Sequence, residues 1–131
     1  MILKQLITTF IVTLAIDYVW LAVISQKFYL EQLKPLLRLS AEGKIQAFIP
    51  SVIGVYIALA VGTVFFVLPK TGGSPTQALA WGALFGFVVY AVYEFTNHAL
   101  IQQWPFKVVV VDLIWGIILG GLVAYIVEKI F

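Results

Sequence analysis

The chain has 131 residues, 63% hydrophobic and only 11% charged, with a net charge of +2, a mean hydropathy of +1.06 and no cysteine. Soluble domains carry about 25% charged residues, so this composition cannot cover a surface in water and makes the bilayer the fitting solvent. Disulfides, thiolate metal sites and cysteine nucleophiles are excluded, and so sparse a positive charge, with no basic run, excludes a nucleic-acid partner.

The first apolar segment, residues 5–25, is broken only by Asp17. Lys4 ahead of it imitates the charged start of a signal peptide. The apolar pattern resumes to Ile24, however, and no small-residue cleavage site follows, so an uncleaved span is expected. Residues 26–45 differ in character. Lys27, Glu31, Lys34 and Arg38 recur at helical spacing and form one polar stripe, while Phe28, Leu30, Leu33, Leu36, Leu37 and Leu39 fill the other face. That pattern predicts an amphipathic segment in the membrane surface, kinked or divided at Pro35 because its ring clashes with the carbonyl of Glu31.

Three further spans follow: 46–68 without a charge, 76–101 holding Glu94, and 105–127 holding Lys107 near its start and Asp112 deeper in. Each is near the roughly 20 residues that cross about 30 Å of hydrocarbon. The apolar runs are continuous rather than alternating, and a helix satisfies its own backbone groups in lipid. The turn at 69–75 and the Gln102-Gln103-Trp104-Pro105 connection are short, so neighbouring spans run antiparallel. The expected fold is therefore an all-α membrane domain over residues 1–131, a bundle of four transmembrane helices with an interfacial segment between the first two. Lys27, Lys34, Arg38, Lys44 and Lys107 fall on one side and Lys4, Lys70 and Lys129 on the other. Five against three places 26–45 in the cytoplasm and both termini outside.

Small residues recur every four positions: Gly54, Ala58 and Gly62; Gly82 and Gly86; Gly116 and Gly120. In lipid such stripes let helix backbones approach closely. A second pattern is an echo. Asp17 is followed by Trp20 and Asp112 by Trp115, each on one helix face.

The acids inside the spans carry the functional signal. An ionised carboxylate at the centre of a membrane helix costs roughly 2.5–3.5 kcal/mol on insertion scales. Counting about 1.5 Å per residue from the span ends on one membrane side puts Asp17, Glu94 and Asp112 roughly 10–12 Å deep, and Tyr56 roughly 15 Å deep. Glu94 shares a stripe with Gly82, Gly86, Tyr90 and Asn97, flanked by His98; Asp112 shares one with Gly116 and Gly120. The acids therefore face inward. Lys107 and His98 are the only cations near this layer, so at least one acid is expected to hold a proton, or a cation to bind among them. The competing reading makes Asp17 and Asp112 hydrogen-bond ties to Tyr56, Tyr90, Asn97, Trp20 or Trp115.

Asp17-Tyr18-Val19-Trp20-Leu21, Phe28-Tyr29, Gly82-Ala83-Leu84-Phe85-Gly86, Tyr90-Ala91-Val92-Tyr93-Glu94-Phe95-Thr96-Asn97, Trp104-Pro105 and Asp112-Leu113-Ile114-Trp115-Gly116 stand in order along the chain. In this ordered set the sequence resembles the bacterial membrane proteins grouped as domain of unknown function 2177, over nearly its whole length. The resemblance implies a small protein of the bacterial inner membrane and implies no activity. An aspartate is usual in that family where Glu94 stands here, so the carboxyl is kept but moved.

Three functions compete. The first is a transporter or ion- or proton-coupled carrier, with Asp17, Glu94, Asp112, Asn97, His98, Tyr56, Tyr90, Trp20 and Trp115 binding a proton, a metal ion or a small cationic substrate. The aromatic residues would supply cation–π attraction. A chain of this size would need to form a homodimer to enclose a pathway. The second is an intramembrane enzyme acting on a lipid-linked substrate, with Asp17, Glu94, Asp112 and His98 as metal ligands or acid and base. The third is a structural subunit. No motif requires a cofactor.

Overall fold

The computed structural model describes all 131 residues. Five helices follow one another: α1 (Ile2–Ile24), α2 (Gln26–Leu33), α3 (Ile49–Lys70), α4 (Pro75–Leu100) and α5 (Phe106–Ile130). All but α2 are long and apolar enough to cross a membrane. Large apolar side chains on their outer faces, among them Ile7, Ile11, Ile53, Ile57, Leu84, Val88, Val92 and Ile114, are exposed. In water so wide an apolar surface would drive aggregation; against lipid chains it is the matching surface.

The closest packing is between α4 and α5. A methyl group added to Gly82 or Gly120 would collide with the backbone of the other, and one added to Gly86 would collide with the carbonyl of Gly116. The two backbones therefore touch, as small residues at four-residue spacing permit. Helix α1 lies between α3 and α5 and turns Thr9, Thr13 and Asp17 inward. The two threonine hydroxyls donate to carbonyls four residues earlier, Thr9 to Gln5 at 2.7 Å and Thr13 to Thr9 at 2.6 Å, so neither needs a partner on another helix. The glycine stripe of α3 behaves differently from that of the hairpin. Gly62 accommodates the ring of Phe85, but nothing in the bundle lies within 4 Å of a methyl group placed on Gly54.

The ends of two helices depart from regular, evenly wound spans. The last turn of α1, Val19–Ile24, is widened into a π-helix, closed by the Ser25 amide and hydroxyl both donating to the Trp20 carbonyl at 2.7 Å. The helix of α3 begins at Ile49 rather than at residue 46, with Pro50 in its first turn. Residues before it are held in a loop, where the Gln46 amide donates to Arg38 at 2.9 Å and the Ser40 amide to Lys44 at 2.8 Å around a left-handed Gly43.

The segment between α1 and α3 divides at Pro35: α2 stops at Leu33 and a single 3-10 turn covers Lys34–Leu36. Lys34 and Arg38 thus leave the stripe begun by Lys27 and Glu31, which remain 4.0 Å apart at the surface. Tyr29 and Leu33 turn inward onto Val108, with Trp20, Phe28, Leu37 and Trp104 packed around them. Helix α2 is a cap on one end of the bundle.

Candidate functional site

Asp17, Glu94 and Asp112 are all buried, at 5%, 0% and 9% exposure, and come from three different spans. Each lies on a face that its helix turns toward neighbouring backbone or side chains. The interior cannot solvate them, so their partners decide what they are.

Asp17 is fully engaged. Its Oδ2 accepts from the Tyr56 hydroxyl of α3 at 2.5 Å, and its Oδ1 from the Trp115 indole of α5 at 2.8 Å. Because α3 starts at Ile49, Tyr56 lies seven residues into its helix rather than ten. Its depth is then about 10 Å, level with Asp17, rather than the roughly 15 Å expected from a start at residue 46.

Asp112 is held from the cap. Its Oδ1 accepts from the Tyr29 hydroxyl at 2.7 Å, and that hydroxyl in turn accepts from the Trp20 indole at 3.3 Å. Burial and the neighbouring Asp112 carboxyl push the Tyr29 phenol well above its ordinary range, so Tyr29 stays a donor. Trp20 and Trp115 stack face to face, with ring centroids 4.7 Å apart and planes 12° from parallel. The echo in the sequence is therefore a crossed arrangement. Each tryptophan serves the other helix's aspartate, Trp115 directly and Trp20 through Tyr29.

Glu94 is the exception. Its Oε1 accepts from the Trp104 indole at 2.8 Å, while its Oε2, wholly buried, has no hydrogen-bond donor. The Asp112 carboxyl of α5 is a close neighbour. Two carboxylates are both acceptors, so they can bond to each other only when one of them carries a proton.

The other residues singled out in the sequence divide. Tyr90 lays its ring on Gly116 and gives its hydroxyl to none of the acids. Asn97 is half-buried beside Tyr93. His98 is exposed and stacks edge-on against Phe106 at 5.4 Å, away from the acids. The only ion pair is the surface pair Lys27–Glu31, so Lys107, itself exposed, reaches no carboxylate. The proposed ligand set of Asp17, Glu94, Asp112 and His98 does not assemble: nowhere do three such side chains converge at metal-binding spacing.

Tyr29 and Trp104 are the members of the network that the reading of the spans missed, since both lie outside the apolar segments. Their one signal was the pair of landmarks Phe28-Tyr29 and Trp104-Pro105. A cavity of about 10 Å³, the size of one water, adjoins Thr13, Thr63 and Tyr90. A wider one of about 370 Å³ opens at the far end of the bundle beside Gln5, Thr71 and Glu128. None of the three buried acids lines either.

The family model described as a predicted membrane protein, DUF2177, matches residues 2–128. No curated protein and no solved structure matches the chain.

Proposed function

The chain belongs to the DUF2177 family of predicted membrane proteins, and we propose that it is a small carrier of positive charge, coupled to protons through its buried acids. The observation that supports this reading is Glu94. It is completely buried, one of its oxygens lacks a donor, and no basic side chain faces it. Keeping such a group inside a membrane protein is costly unless something binds there. A site that gains and loses a positive charge has a use for that cost.

The acids have different roles in this reading. Both oxygens of Asp17 are tied to donors on other helices, so it fixes α1 against α3 and α5. Glu94 and Asp112 form the exchanging part. The metal-dependent form of the enzyme reading has no support in the packing, since no three such side chains converge at metal-binding spacing. We place the protein in a bacterial inner membrane with residues 26–45 on the cytoplasmic side, from the distribution of lysine and arginine. Exchange then occurs under α2. A second copy of the chain would complete the pathway.

The test is flux into liposomes containing the purified protein and a trapped pH-sensitive dye. A proton flux, with or without a cationic solute, is expected to be abolished by Glu94→Gln and by Asp112→Asn. If the wild type shows no flux, or if both variants carry charge like the wild type and differ only in melting temperature, the carrier reading is wrong.

A further inference from the structure

We infer that Glu94 and Asp112 act as one unit holding a single shared proton, and that this proton, rather than a metal ion or an organic cation, is what the acidic layer exchanges. The inference deepens the carrier reading and rests on it for the exchange; the pairing rests on the complete burial of Glu94 and on its oxygen without a donor.

The argument is a count of donors. At this site Trp104 donates to Glu94 Oε1, Tyr29 to Asp112 Oδ1, and nothing to Glu94 Oε2. The titratable groups around the pair are Asp17 from α1, Tyr29 from α2, and Tyr90 and Tyr93 from α4, while Tyr56 of α3 is taken up by Asp17. None is basic. Two adjacent carboxylates repel, and one proton between them converts that repulsion into a hydrogen bond. Uptake takes one proton from water onto a pair carrying two negative charges and leaves one; release reverses this.

A metal ion fits poorly. Zinc takes about four ligands and magnesium or calcium about six or more. Both oxygens of Asp17 are already engaged, and the Tyr29 hydroxyl both donates and accepts. An organic cation fits no better, because the Trp20 and Trp115 rings are closed on each other at 4.7 Å and leave no slot between them. A proton needs neither ligands nor a cavity. Its way out lies through Asp112, the least buried of the three acids, which α2 covers with Tyr29. Tyr29 is a positioning residue in this scheme.

Infrared difference spectroscopy on the protein in phosphatidylcholine vesicles, between neutral and alkaline pH and in light and heavy water, reads the proton directly. The wild type is expected to show one protonated-carboxyl band at neutral pH. That band should vanish in both Glu94→Gln and Asp112→Asn, persist in Asp17→Asn, and shift without vanishing in Tyr29→Phe. Both amide variants should fold. Each keeps the oxygen that accepts from Trp104 or Tyr29, and its N–H replaces the shared proton. Absence of the band from the wild type, or its survival in either amide variant, overturns the inference. The same vesicles separate the two claims. A band assigned to the pair with no proton flux leaves the pair standing and defeats the carrier; flux driven by a sodium gradient without the band does the reverse.

Discussion

Trp115 donates its indole hydrogen to Asp17 at 2.8 Å across 98 positions of sequence, while its ring lies against Trp20, three residues beyond that same aspartate. The first and last spans are thus joined twice at one level, by a charge-assisted hydrogen bond and by a stack. Such bonds are stronger than neutral ones, and in lipid no water competes for the carboxylate.

Trp115→Phe keeps the stacking surface but leaves Asp17 with Tyr56 as its one donor. It should destabilise the bundle by about 1–2 kcal/mol. Trp20→Phe removes only a long bond to a hydroxyl that retains its other partner, and should cost about 0.5 kcal/mol. Unfolding in mixed detergent micelles would measure both, and a larger loss for Trp20→Phe would contradict the crossed arrangement.

The glycines make a sharper contrast. Gly86→Leu must push α4 off the α5 backbone and should prevent the native fold or cost more than about 3 kcal/mol. Gly54→Ala meets open space and, with alanine the better helix former, should stabilise the monomer slightly, by at most about 1 kcal/mol. Thermal melting in detergent separates the two outcomes.

Tyr29 supplies a pH prediction. Its ordinary value is 10.0 and the fold raises it, so the stability it lends is complete below about pH 10 and declines above that, as the unfolded chain ionises first. The wild-type minus Tyr29→Phe difference in tyrosinate absorbance should stay flat through pH 10. A full step centred there would show that the hydroxyl is not held by Asp112.

His98→Ala should change neither flux nor stability by more than about 0.5 kcal/mol, because the ring is exposed and touches Phe106 rather than an acid. Loss of flux in this variant would restore the histidine to the site.

Much of the molecule was legible in the order of its residues. The four crossings, the division at Pro35 and the inward acids come from quantities that add along a segment: apolar length, the breaking effect of proline, the cost of a carboxylate in hydrocarbon. What the tertiary structure alone decided is who meets whom. The delayed start of α3 brought Tyr56 level with Asp17, the docking of α2 delivered Tyr29 to Asp112, and the turn into α5 set Trp104 on Glu94. Hydropathy is blind to rotation of a helix about its axis, whereas a hydrogen bond is made or lost within about 1 Å. For the same reason His98, one turn from Glu94 in sequence, stands outside the network that Glu94 anchors.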